Sequence, residues 1–429
     1  MILQLGNTEV KHQIQATSGI RQGCTLSATI FKLITYNIIN ELDKQIKGYS
    51  TDKVTIKSLF FADDGLILSR NEKEAINDIM QLQKIAKEYG LEINKSKSNV
   101  MIFNAKDKIE EIGGIKVVNN MKYLGVTISD GRDMFKMHKD NKLKLSEKLV
   151  NITYSVINKS CNRLLIGRTY WKNIAIPAIL YGSNIIEYTK QEIEKLQKHQ
   201  NSVCRKILNA PRWATTTAMR GEIGMTNMEN RINQNRIQYI RNRLNQGNQL
   251  IKLVLEELEN NKGSWKINSR KQYTRIKIGE EGIGKHKKEH IKDKFREIDT
   301  KEWREEMEKK KSLNIYRKYK TKVRQDEQYD NDEKSKIWFR LKTNCLFINK
   351  SQKERCKICE NGNEDICHFM LHCTKLQDIR QRNIMLQKPI QREEDNVIGK
   401  FIFDKEEIEK KKILVMKLWT KRKKILENI

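Results

Sequence analysis

Proline is scarce in this chain. Only Pro177, Pro211 and Pro389 occur in 429 residues. Proline removes a backbone donor and breaks helices, so its scarcity suits long helical stretches. No run of about 18 apolar residues is present, so a membrane-crossing helix is not expected. The opening Met1-Ile2-Leu3-Gln4-Leu5-Gly6 is short and lacks the basic start of a secretion signal. The expected setting is intracellular, in nucleus and/or cytoplasm, without a membrane and not secreted. Acidic residues are in deficit: 54 Asp and Glu stand against 84 Lys and Arg, a net charge of +30. An excess of that size points to a polyanionic partner, nucleic acid before membrane. Cysteine is sparse until late. Cys24, Cys161, Cys204 and Cys345 are scattered singly and read as small buried apolar residues. The other four fall between positions 356 and 373, and without a secretion signal that clustering favours metal over disulfides.

Residues 54–68 place apolar side chains on both sides of Asp63-Asp64-Gly65. This pattern predicts a β-hairpin, with strand 54–61, a tight corner and strand 66–69. Two adjacent carboxylates would stand at the tip of a stiff, mostly buried hairpin beneath Phe60 and Phe61. Like charges this close repel, and a divalent metal is the natural counter-ion. Asp-Gly also serves as a plain turn with Asp63 solvated, so the neighbouring stretches decide.

Residues 1–16 alternate as an extended segment does. Ser18 to Ser27 is a glycine-punctuated loop, followed by a helix with Ile30, Phe31, Ile34, Ile38, Ile39 and Leu42 on one face and Ser27 as its cap. Arg, Gln and backbone N–H groups at a helix start suit phosphate and sugar; an ordinary loop is the alternative. Asn71 caps a helix over about 72–89, which Gly90 stops. A strand over 99–103 and a second hairpin follow, with strands 115–118 and 121–128 around Asn119-Asn120. The order predicts an α+β fold, an antiparallel sheet with helices on one face. Residues 134–260 read as helical, with breaks near 166–168, 181–183 and 221–224 and a turn at Pro211-Arg212-Trp213. Residues 262–330 are highly charged, with Trp265 and Trp303 as isolated anchors. Residues 309–324 hold eight basic and no acidic side chains, interleaved with Tyr316 and Tyr319. That composition tracks a phosphate backbone and stacks bases, or lines a solvated helical face. The tail, 404–429, reads as an amphipathic helix around Ile413, Met416 and Leu418.

Cys356-x2-Cys359-x8-His368-x4-Cys373 offers two ligands from a tight knuckle and two from a following turn, which suits tetrahedral structural Zn²⁺. Cys367 and His372 are adjacent spares, so the choice among Cys367, His368, His372 and Cys373 stays open, as does a set of free thiols. In so basic a chain its use would be to grip nucleic acid.

Four motifs then fall in a known order: Arg21-Gln22-Gly23 with Leu26-Ser27, Phe61-Ala62-Asp63-Asp64, Gly90-Leu91-Glu92-Ile93-Asn94 with Lys97-Ser98, and Tyr123-Leu124-Gly125. Together they resemble the reverse transcriptases of non-LTR (LINE-type) retrotransposons. The resemblance is strong over about 15–130. It continues more weakly through Ala210-Pro211-Arg212 and Arg220-Gly221-Glu222-Ile223-Gly224 to the cysteine cluster. It implies a partial palm at 1–128, a helical thumb and linker at 129–260, a basic helical region at 261–345, a CCHC zinc segment at 346–380 and a basic C-terminal helix at 381–429. It also implies an RNA-directed DNA polymerase with an RNA template and a DNA target or primer. Asp63 would bind Mg²⁺ with Asp64 beside it. Arg21, Gln22, Gly23 and Ser27 would position nucleotide and template, Lys97 would protonate the leaving group, and Tyr123-Leu124-Gly125 would grip the primer. The chain departs from the family at Thr25 and Ala28, where prolines are usual. The family's other catalytic aspartate lies on a strand well before the Arg-Gln-Gly loop, and Glu9, on the strand leading into that loop, does not fit it. The expectation is therefore an N-terminally truncated enzyme, inactive alone. The alternative is a non-catalytic nucleic-acid-binding remnant that uses the basic helices and the zinc knuckle.

Overall fold

The structure, a computed structural model, describes residues 19–20, 23–105, 107–160, 162–260, 263–325, 329–346, 355–381 and 393–428. The chain divides into two compact units, Met1–Met137 with Gln249–Asn260 and His138–Asn248 with Asn261–Ile429. The fold is α+β: small antiparallel ribbons lie in the first unit and helices dominate the rest.

In the first unit, helix α1 (Ser27–Gln45) buries Ile38 and Leu42 against Ile85 of helix α2 (Glu72–Glu88). Ser27 is already inside the first turn and Leu26 flanks it without a capping side chain. The expected Ser27 cap is thus displaced by one residue: Thr29 N and Ile30 N already donate to Leu26 O, both at 3.0 Å, so the helical turn starts before Ser27. Asn71 does cap α2, accepting from Glu74 N at 3.0 Å. Tyr89 at the end of α2 donates to Glu41 Oε1 on α1 at 2.6 Å. The strands form four two-stranded ribbons: β1 (Tyr49–Ser50) with β2 (Thr55–Ile56), β3 (Ser58–Phe61) with β4 (Asp64–Ile67), β5 (Glu111–Ile112) with β6 (Ile115–Lys116), and β7 (Asn120–Tyr123) with β8 (Val126–Ser129). The expected strand at 99–103 reduces to one bridge, Val100 to Val117. The turn expected at Asn119-Asn120 falls instead at Gly113-Gly114 and at Leu124-Gly125, where both residues have positive φ. Type I′ hairpin turns require that conformation. Helix α9 (Gln249–Asn260) belongs to this unit and pairs its Glu256 with Lys53 at 3.8 Å.

The second unit holds α3 (Lys136–Asn158), which starts just before the unit boundary, then α4 (Arg163–Tyr170), a π-turn at Trp171–Ala175 and α5 (Ile176–Ile179). It continues with α6 (Lys190–Ile207), α7 (Thr216–Ile223), α8 (Met228–Gln246), α10 (Ser264–Ile276), α11 (Lys288–Glu308) and α12 (Asn314–Tyr319). Helices α13 (Glu333–Lys342), α14 (Gln377–Gln381), α15 (Glu394–Phe403) and α16 (Ile408–Glu427) complete it. One apolar core runs from α3 through α7 and α13 to the cysteine segment and α16. Of the expected glycine breaks, 166–168 lies inside α4. Gly221 also lies inside its helix, and glycine is needed there because Trp303 Cζ2 and Tyr316 Oη stand 2.6 Å from where a Cβ would be. Gly224, in the left-handed conformation, is what ends α7.

Trp303 is the apolar anchor expected of it, while Tyr316 and Tyr319 are drawn into packing rather than turned outward. Trp303 is fully buried and donates to Thr217 O at 2.8 Å. Tyr316 is buried edge-on to Trp303, and Tyr319 stacks on Phe403 with centroids 5.5 Å apart. The basic stretch 309–324 thus carries cations, but both tyrosines are engaged in packing, and the base-stacking role expected of them is set aside. On α16 the buried face is Leu414, Val415, Leu418 and Trp419, while Ile413 is exposed, contrary to expectation. The helix is rotated so that Lys411, Lys412 and Arg422 bury their stems and meet Asp404, Glu409 and Glu364. Of the single cysteines, Cys204 and Cys345 are buried, Cys24 is exposed in the loop before α1, and Cys161 lies outside the described residues.

Glu222 on α7 is fully buried and ties these helices together. It accepts from Tyr316 Oη and Tyr329 Oη, both at 2.7 Å, and pairs with Lys342 Nζ at 3.0 Å and Lys320 Nζ at 3.5 Å. Removing one partner of a buried ion pair leaves uncompensated charge. Glu222→Ala should therefore lower stability by about 3–5 kcal/mol, and Glu222→Gln, which keeps an acceptor, by clearly less. The shift in urea midpoint between the two variants measures the difference.

Candidate catalytic hairpin and metal centre

The β3–β4 hairpin pairs Phe61 with Asp64 and Phe60 with Gly65. Its corner is therefore Ala62-Asp63, one residue earlier than expected, with Ala62 at φ 55°. Asp64 opens β4. Gly65 must lack a side chain because the Phe60 ring lies 2.5 Å from where a Cβ would be. The hairpin is not mostly buried. Side chains alternate along a strand, and a two-stranded ribbon packs only one face. Phe60 and Ile67 turn inward onto the α1–α2 core. Phe61, 66% exposed, turns outward, and both aspartates are exposed at the tip.

A second hairpin is bonded to the first. Tyr123 on β7 donates to Leu59 O at 3.3 Å. Burial, and then the Asp64 carboxylate, push the Tyr123 hydroxyl above its ordinary pKa. Leu124 and Gly125 form the tip of that hairpin, at φ 45° and 80°. The structure thus brings Asp63-Asp64 and Tyr123-Leu124-Gly125 together. It does not bring Lys97 to them: the Lys97 backbone closes an Asn94 turn at 3.1 Å, and among the described residues no bond joins it to either aspartate. Gly23 is exposed at φ 83° in the loop before α1, and Ser27 begins that helix. Arg21, Gln22 and Glu9 lie outside the described residues. Among the described residues no third acid, histidine or cysteine joins Asp63 and Asp64 in a metal-sized group.

In the second unit one such group does form. The ligand atoms of Cys356, Cys359, His368 and Cys373 all lie within 4.8 Å of one another. Cys356 and Cys359 come from a knuckle closed by Glu360 N to Cys356 O (2.8 Å) and Cys356 N to Gly362 O (3.0 Å). His368 opens a π-turn, His368–His372, which Cys373 closes by donating its N–H to His368 O at 2.8 Å, so both side chains start from the same place. Asp365 accepts from His368 N at 2.7 Å, and Arg380 donates to Cys373 O. Cys359 Sγ is 3.2 Å from His368 Nε2, and Cys356 Sγ is 4.0 Å from Cys373 Sγ. Burial, followed by the neighbouring thiols, pushes Cys373 up to about 12, and burial raises Cys356. Two of the three thiols thus resist ionisation, and a divalent cation among them would remove that resistance. The donor set suits tetrahedral zinc. The two spares turn away from it: Cys367 Sγ is 3.7 Å from Asp395 and His372 Nε2 is 2.9 Å from Glu394, both on α15. Sequence reasoning missed Gly362, where a Cβ would stand 3.0 Å from His368 Nδ1. It also missed Asp365 and Arg380, because only the fold sets them beside the ligands.

Residues 1–128 match the family described as reverse transcriptase (RNA-dependent DNA polymerase). The matched stretch contains α1, α2 and both hairpins, and it ends within β8. Enzymes of this family act on nucleic acid and generally use Mg²⁺.

For the cysteine group, metal analysis of the pure protein should find about one zinc per chain. Cys356→Ser should abolish it and lower the melting temperature, while Cys367→Ser should retain it. Zinc retention should fall as pH drops, since protons compete for the thiolates.

Proposed function

We propose that this chain derives from a reverse transcriptase of the non-LTR (LINE) type, with its palm residues at 1–128, a helical thumb and linker beyond, and a zinc segment at 346–380. The supporting observation is the bond from Tyr123 to Leu59, which sets the Tyr-Leu-Gly hairpin beside Asp64. In this reading Asp63 holds Mg²⁺ with Asp64 next to it, and Tyr123-Leu124-Gly125 supports the primer end. Arg21, Gln22, Gly23 and Ser27 line the nucleotide and template, and Lys97 serves as proton donor once substrate draws its loop in. Bound Mg²⁺ would supply Lewis acidity to the primer 3′-hydroxyl and the leaving pyrophosphate. Cys356, Cys359, His368 and Cys373 hold Zn²⁺ and stiffen a surface for RNA template or DNA target. The site of action is the nucleus or cytoplasm.

Two-metal chemistry needs carboxylates that bridge both ions, and the described residues supply only the adjacent pair. The isolated chain is therefore proposed to hold nucleic acid without extending a primer. Mn²⁺ titration followed by electron paramagnetic resonance tests the metal role: binding should weaken at least tenfold in Asp63→Ala, and equal binding would sink the polymerase reading. Primer extension on an RNA template should yield no product from the wild-type chain alone. Mg²⁺-dependent cDNA that disappears in Asp63→Ala would overturn the inactivity.

A further inference from the structure

Helix α16 has two unlike faces. Leu414, Val415, Leu418 and Trp419 turn into the core that it shares with α13 and the cysteine segment. Phe369 meets Trp419 edge-on at 6.2 Å, and Lys334 on α13 reaches Glu409 at 3.3 Å. The helix is thus fixed to the unit from both directions. At about 3.6 residues per turn the opposite face runs through Ile413, Lys417, Thr420 and Lys424, with Lys423 at its edge. All five are exposed.

The acids around this helix are already taken by other cations. Asp404 pairs with Lys411 at 3.1 Å, Glu409 with Lys412 at 2.7 Å, and Asp378 with Lys421 at 2.6 Å. Glu364 pairs with Arg422, and Glu407 with Lys410. The side chains of Lys417, Lys423 and Lys424 form no ion pair or hydrogen bond among the described residues, and Glu427, one turn further on, pairs with none of them. Three ammonium groups therefore stand on one solvent face with no acid left to answer them, which favours an anionic partner.

We propose that the solvent face of α16, through Lys417, Lys423 and Lys424, holds a nucleic acid by its phosphate backbone. This rests on the nucleic-acid reading above and gives it a location. Lys417 and Lys424 stand about 10 Å apart along the helix axis. Duplex DNA carries one charge per about 1.7 Å of its own axis, so an ammonium anywhere on this line finds a phosphate without a set register. The neutral residues of the face, Ile413 and Thr420, carry neither a ring to stack a base nor a two-headed amide to read one. The hold is therefore on the backbone and independent of sequence. A membrane surface fits less well. A helix that lies in a membrane sinks its apolar face into it, and in α16 that face is buried in the core.

The test is anisotropy of a short fluorescent duplex DNA, titrated with the full-length protein over a range of salt. Each phosphate contact contributes about −0.9 to the log–log salt slope. The triple variant Lys417→Gln, Lys423→Gln, Lys424→Gln should flatten the slope by roughly 2–3 and weaken binding about tenfold or more at moderate salt, equally on two duplexes of unrelated sequence. Its melting temperature should match that of the wild type. Lys417→Arg, Lys423→Arg, Lys424→Arg keeps the charge and should keep the slope. The control Lys190→Gln, Lys195→Gln, Lys198→Gln removes the same charge from the exposed side of α6, which also carries Glu194. It should change the slope by less than about 1. Equal effects of the two glutamine triples, an unchanged slope in the first, or a loss that arginine does not restore would overturn the site. An effect on only one of the two duplexes would overturn the backbone hold. Loss of binding to phosphatidylserine vesicles with DNA binding intact would assign the face to a membrane instead. Wild-type protein that shows no salt-dependent DNA binding would sink the broader reading. If the glutamine triple folds poorly, Lys417→Gln alone decides: a slope change of about 0.9 supports the site and no change removes it.

Discussion

Glu222 sits out of water between Lys342 and Lys320, with two tyrosine hydroxyls completing its shell, and the same arrangement recurs where the chain buries a cation. Arg220 meets Asp299, Arg236 meets Glu187, Lys139 meets Glu192, Lys412 meets Glu409 and Arg422 meets Glu364. With 84 basic side chains against 54 acidic, acids are the limiting resource. Those committed internally cannot screen the surface. The helical unit therefore closes around paired charges and leaves its surplus cations outside, which is the condition for a salt-sensitive hold on a polyanion.

The first unit works on a different constraint. Its ribbons have two strands each and can pack only one face. That leaves Phe61, Asp63 and Asp64 outside while Phe60 and Ile67 anchor the ribbon on α1 and α2. The carboxylate pair thus stands on an anchored tip and is open to solvent. The hydrogen bond from Tyr123 holds the neighbouring hairpin at a fixed distance from it.

The cysteine segment shares its core with α13 and α16, so it is not an appendage. Phe369 in the π-turn packs edge-on against Trp419 of α16, 6.2 Å between centroids, and Arg422 meets Glu364 beside it. A metal held there would stiffen the segment that packs on α16, whose charges over 410–424 are all basic.

Much of this was legible in the residues themselves. The α+β class, the Asn71 cap, the existence of the Asp63 hairpin and a metal-suited Cys/His cluster at 356–373 all follow from local patterns of period, cap and spacing. Those patterns depend on a few neighbouring residues and survive without context. What needed the tertiary structure was everything set by contacts between distant segments. These include the corner at Ala62-Asp63, the inward use of Tyr316 and Tyr319, the rotation of α16 away from Ile413, and the turning of Cys367 and His372 toward α15. Sequence spacing cannot encode which face of one helix another will cover, and it is that covering which decides whether a charge is buried, paired or left for a partner.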